Sequence, residues 1–116
     1  MKRREYESVI VINPKLGEEG IRKIIEDFHE LLRRKEAENI EIIHWGIRKL
    51  AYRIRAKPGE YLSEGYYVLF QFDAFPTAIA DLEAHLRIRQ GEVLRYLIVR
   101  RPKAKAPVPS SGEAGG

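Results

Sequence analysis

The chain predicts an α+β domain: one four-stranded antiparallel sheet with two helices covering one of its faces. Three observations carry that expectation. Two segments have helical periodicity, four read as strands, and their order is strand, helix, strand, strand, helix, strand. The 116 residues hold one domain with one modest core, expected over residues 1–101.

Residues 5–13 (EYESVIVIN) form the first expected strand. Its run Val9-Ile10-Val11-Ile12 is apolar on both parities, as in a central strand at least partly covered on both faces, and Asn13-Pro14 ends it. A helix is expected from about 18 to 37. Ile21, Ile24, Ile25, Phe28, Leu31 and Leu32 make one apolar stripe, Glu18 and Glu19 open it, and Arg33, Arg34 and Lys35 close it, in keeping with the helix dipole.

Residues 40–55 alternate as a long strand, with Gly46 expected at a bend or bulge. Tyr66 to Asp73 is the next strand, with Tyr66, Val68, Phe70 and Phe72 facing the core. Pro58-Gly59 and Ser63-Glu64-Gly65 bracket a generous loop between the two. Pro76 suits the first position of a helix running to about Arg87. Gly91 breaks the chain, and residues 92–100 supply the last strand. Residues 102–116, rich in Pro, Ser, Gly and Ala, offer almost nothing to bury and are expected to be a disordered tail. This order on one antiparallel sheet gives the ferredoxin-like sandwich, an architecture that hosts many unrelated activities and so decides nothing about function alone.

Composition narrows the class. With 44% apolar and 33% charged residues the balance is that of a soluble globular protein. No apolar run approaches the ~20 residues of a membrane helix. The basic start Met1-Lys2-Arg3-Arg4 is not followed by the apolar stretch of a signal peptide. Absence of cysteine excludes disulfides and thiolate metal sites, and a cytoplasmic protein fits all of this.

Net charge is only +4, but its distribution is uneven. Residues 18–38 carry Glu18, Glu19, Glu26, Asp27, Glu30, Glu36 and Glu38 among their basic residues. Residues 46–58 hold Arg48, Lys49, Arg53, Arg55 and Lys57 with no acid, and 87–105 hold Arg87, Arg89, Arg95, Arg100, Arg101, Lys103 and Lys105 against Glu92 alone. Segregation of this kind leaves one surface positive, the footprint of a polyanionic partner, although solvated charges can also cluster without one.

Catalytic candidates are missing. His29, His44 and His85 are scattered over two helices and a strand and lack the spacing of a helical metal site. Ser8, Ser63, Ser110 and Ser111 lie in no nucleophile-elbow setting, and no glycine-rich phosphate loop precedes a helix. Glu26, Asp27 and Glu30 read as a solvent face. The expectation is no enzyme, no cofactor, no metal and no small-molecule substrate. The segment Gly65-Tyr66-Tyr67-Val68-Leu69-Phe70 invites comparison with RNA-recognition motifs, whose strand aromatics stack bases. Glu64 and Tyr67 stand where that motif wants a basic and a small residue, so an independent single-strand RNA binder of that kind is the alternative reading.

The strongest local signal is Gly46-Ile47-Arg48-Lys49-Leu50-Ala51-Tyr52-Arg53-Ile54-Arg55. Strand alternation puts Lys49, Arg53 and Arg55 on one parity and Leu50, Tyr52 and Ile54 on the other. Arginine's planar fork suits bidentate phosphate contacts, and the same charges would also protect an edge strand from aggregation.

With this block the chain resembles the small-subunit ribosomal protein six family of bacteria and organelles. Four features carry the likeness in order over residues 4–101: Tyr6-Glu7 leading into Ile12-Asn13-Pro14, the block from Trp45 to Ile54, Leu86-Arg87-Ile88, and the closing Val93 to Val99. The stretch from Ala56 to Gly65 is several residues longer than is usual in that family, and Gly17 stands where an acidic or polar helix cap is more often found, which should weaken the helix start.

The resemblance implies a cytoplasmic structural constituent of the ribosome. It would bind the central domain of small-subunit ribosomal RNA together with small-subunit ribosomal protein eighteen. Arg3, Arg4, Arg48, Lys49, Arg53, Arg55, Arg87 and Arg89 are then the expected RNA contacts. Tyr52, Tyr96, Leu97 and Val99 are the expected partner surface.

Overall fold

The computed structural model describes residues 2–101; the tail expected at 102–116 lies outside the described residues. The strands are β1 (Arg4–Ile12), β2 (Glu38–Lys57), β3 (Glu60–Ala74) and β4 (Val93–Arg100), and the helices are α1 (Gly17–Arg34) and α2 (Ile79–Arg87). They form one four-stranded sheet in the order β2-β3-β1-β4, every pairing antiparallel, which is the ferredoxin-like arrangement expected.

Strand alternation divides the residues between two faces. Tyr6, Ser8, Ile10 and Ile12 of β1 point with Val68, Phe70 and Phe72 of β3 toward the helices, and α1 answers with Ile24, Ile25, Phe28 and Leu32 and α2 with Leu82 and Leu86. The Phe28 and Phe70 rings meet edge to face at 4.9 Å. Phe70 and Phe72 are fully buried here, so the recognition-motif alternative is corrected: these rings belong to the core and offer no stacking platform.

α1 ends at Arg34, earlier than the periodicity suggests. The Glu36 N–H donates to the Arg33 carbonyl and the Ala37 N–H to the Leu32 carbonyl, both at 2.9 Å, while Glu36 itself adopts φ 64°. That is a Schellman ending, which turns the chain out of the helix and into β2. α2 opens with a 3-10 turn at Pro76–Ala78 before becoming helical.

The largest departure concerns residues 56–65, expected as a generous loop. Lys57 pairs with Glu60 across a tight turn at Pro58-Gly59, where Gly59 has φ 82°. Pro followed by a left-handed Gly is the type II turn signature, and it lets pairing continue to the very end of the hairpin. β2 and β3 therefore run on past the end of β1 as a two-stranded ribbon. The β2–β3 pairing has four register shifts, at Glu38/Glu41, His44/Gly46, Lys49/Ile54 and Arg55/Lys57. The one at His44/Gly46 lies where a bulge was expected. Between Lys49↔Glu64 and Ile54↔Leu62, β2 advances five residues while β3 advances two.

Candidate nucleic-acid interface

The wide bulge over residues 50–53 bends the ribbon over the sheet face that no helix covers. Leu50, Tyr52 and Ile54 there line a shallow hollow with Val11, Tyr67 and Arg95. Val11 is 5% exposed although it faces away from the helices, which explains why β1 is apolar on both parities. The ribbon's end is tied down elsewhere. Lys15 pairs with Glu60 at 3.2 Å, and Ala56, Lys57 and Glu60 line a cleft with Gln90, Gly91 and Glu92 of the α2–β4 connection. Asn13 fastens that connection to β1: its Nδ2 donates to the Gly91 carbonyl at 2.9 Å and its backbone N–H to the Glu92 carbonyl at 2.8 Å.

The consequence is a cationic end of the molecule. Arg48, Lys49, Arg53 and Arg55 lie exposed on the ribbon, and Lys57, not among the expected RNA contacts, is exposed on it too. Arg87 is exposed at the end of α2, and the chain from there enters the connection that abuts the ribbon. Among the described residues Lys49, Arg55, Lys57 and Arg87 have no ion-pair or hydrogen-bond partner, whereas Arg48 reaches the Trp45 carbonyl at 3.4 Å and lies over its ring. Arg53 lies over the Tyr61 ring.

The remaining expected contacts are placed differently. Arg3 and Arg4 stand at the opposite end of β1, about 25 Å away along a nine-residue strand. Arg4 is exposed, but Arg3 is engaged: its Nε donates to the Glu36 carbonyl at 2.9 Å, a second nitrogen lies 3.5 Å from Glu38, and its guanidinium lies 4.4 Å from the Phe75 ring centroid. Arg89 turns inward. It binds Asp27 of α1 at 2.8 Å, Glu92 at 3.4 Å and the Nε2 of His85 at 3.3 Å, tying the end of α2 to α1 and to the start of β4. Burial and the neighbouring Arg89 charge both lower the His85 pKa, which favours the neutral ring whose Nε2 can accept from Arg89.

The expected partner surface also divides. Leu97 and Val99 of β4 are 58% and 41% exposed on the open face of the sheet. The register makes Ile43, Leu69, Val9 and Leu97 one apolar row across all four strands. Tyr52 is 80% exposed beside the hollow on the ribbon. Tyr96 corrects the expectation: it packs with Ile98 against the core, because alternation sends it to the face opposite Leu97 and Val99.

Among the described residues no cluster of side chains could hold a metal ion, and no helix is long and apolar enough to cross a membrane. Residues 5–100 match the family model described as ribosomal protein S6. The chain is 44% identical over 97 residues to small ribosomal subunit protein bS6 of Caldanaerobacter subterraneus, covering 84% of this chain and 96% of that one. It is 37% identical over 102 residues to bS6 of Bacteroides fragilis, covering 88% and 84% respectively. The crystal structure of 30S ribosomal protein S6 from Thermotoga maritima superposes with a TM-score of 0.75 at 27% identity, covering 86% of this chain and 89% of that one. On these grounds the chain belongs to the ribosomal protein S6 family, and it is a structural protein of the small ribosomal subunit, not an enzyme.

Proposed function

We propose that this chain binds the central domain of small-subunit ribosomal RNA through the cationic end of its sheet, in company with small-subunit ribosomal protein eighteen. The observation that carries the reading is that Arg48, Lys49, Arg53 and Arg55 lie exposed along the ribbon and Arg87 at the end of α2, which leads into the connection lining a cleft with the ribbon's end, and that several of these side chains are unpaired. A folded RNA offers phosphates on more than one strand, and a ribbon held at both its base and its tip presents guanidinium groups to them without first having to order a loop. Arg4 serves as a second contact at the far end. Arg89 acts through Arg87 by fixing the end of α2.

Protein eighteen takes the open face of the sheet. The row Ile43-Leu69-Val9-Leu97, with Val99 and Tyr52 beside it, is the apolar surface that helices leave uncovered, and a protein partner is what buries such a surface. The polar cationic ribbon and the apolar face point to different partners, which lets both bind together.

The test combines Arg48→Ala, Arg53→Ala and Arg87→Ala in one variant. All three side chains are exposed, so each substitution should change stability by no more than about 0.5 kcal/mol and the domain should stay folded. Association with a central-domain transcript should weaken at least about tenfold, as the loss of charge-assisted phosphate contacts requires. Unchanged association would refute the cationic end as the interface. Running the assay with and without protein eighteen tests the partnership, which an affinity indifferent to that protein would remove.

A further inference from the structure

The outer half of the ribbon carries an aromatic ring that phosphate contacts leave unused. Tyr61 is 54% exposed and stands directly across from Arg55. The Arg53 guanidinium lies over one face of its ring, 5.4 Å from the centroid. With Arg53 over the ring, Tyr61 still keeps 54% of its surface exposed, so part of the ring is left for a ligand to meet. Tyr61 falls in the stretch that the sequence predicts as a loop. Only the continued β2–β3 pairing places it among the arginines.

The neighbours decide what such a ring can take. An apolar pocket on a protein would have to desolvate Arg53 and Arg55 together with the ring, at a large cost for unpaired charges. An unpaired nucleotide has no such conflict. Its base offers a π face to the tyrosine and its own phosphate offers an anion to the arginine beside it. We propose that Tyr61, backed by Arg53, is a stacking platform for one unpaired RNA base, with Arg55 on the adjoining phosphate. The inference rests on the RNA-binding reading above and sharpens it: the ribbon end selects a loop, bulge or single-stranded segment, where phosphate contacts alone would accept any folded backbone.

The experiment uses the full chain with an oligoadenylate of about ten nucleotides carrying a single 2-aminopurine, beside an RNA duplex of similar length. Stacking on Tyr61 should quench the 2-aminopurine fluorescence. Tyr61→Leu, which keeps apolar bulk but lacks a ring, should abolish the quenching and weaken binding of the oligoadenylate about ten- to a hundredfold while leaving duplex binding unchanged. Tyr61→Trp should restore both. Equal quenching by Tyr61→Leu and the unaltered chain would overturn the platform, as would equal losses on oligoadenylate and duplex. So would a loss confined to association with protein eighteen, which would make the ring a protein contact. If the unaltered chain bound neither RNA even with protein eighteen added, the RNA-binding reading itself would fall; binding to both with no effect of Tyr61→Leu would remove the platform alone.

Discussion

Arg87 and Arg89 are two residues apart and look interchangeable in sequence, yet their surroundings give them different work. Arg87 is exposed and unpartnered among the described residues, while Arg89 bridges Asp27, His85 and Glu92. Removing Arg89 leaves the half-buried Asp27 carboxylate without its 2.8 Å partner and frees the end of α2. Arg89→Ala should therefore lower unfolding stability by about 1–3 kcal/mol, as for a hydrogen bond to a charged group. Arg87→Ala should change it by less than about 0.5 kcal/mol and act on RNA association instead. Urea unfolding of the two variants side by side checks the pair of outcomes, and equal effects on stability would show that the two arginines share one role.

At the level of elements, turn geometry outweighs the usual preferences of helix ends. No side chain caps α1, as the glycine at position 17 suggested. The reason is visible in the backbone: Gly17 has φ 76° and ψ 177°, a region essentially reserved for glycine, where the chain swings from the 3-10 turn at Pro14–Leu16 into the helix. A serine there would be the better cap by side-chain chemistry and the worse residue by backbone strain. Gly17→Ser should thus destabilise by about 1–3 kcal/mol, read as a lower urea midpoint; a gain in stability would mean that the cap outweighs the strain. The hairpin follows the same logic. Pro58-Gly59 reads equally well as a loop signal and as a tight turn, and which it becomes depends on whether the flanking residues find pairing partners.

For the molecule as a whole, the uneven charge is turned into a directed surface. If about four of the ribbon and α2-end cations neutralise phosphates, log affinity should fall against log salt with a slope of roughly −3 to −4. The Arg48, Arg53 and Arg87 triple variant should flatten that slope by two to three units, close to one for each cation lost. A salt-independent affinity would point to an interface dominated by apolar contact. The open face should contribute little to this slope, because its central row carries no charge.

By itself the sequence determined the order of elements and the helix-facing core, because these depend on local periodicity and residue type. Ile24, Ile25, Phe28 and Leu32 could be assigned to the core from spacing alone, as could Val68, Phe70 and Phe72. Which cations stand together depended on tertiary structure. Arg3 and Arg4 share the ribbon's charge but sit at the other end of the sheet; Arg89 is two residues from Arg87 but is spent on Asp27; Tyr96 adjoins Leu97 but faces the core. Charge and exposure belong to a residue's neighbours in space. Those neighbours were fixed by strand register, by the bulge at residues 50–53 and by the turn at Pro58-Gly59, none of which a single strand's pattern contains.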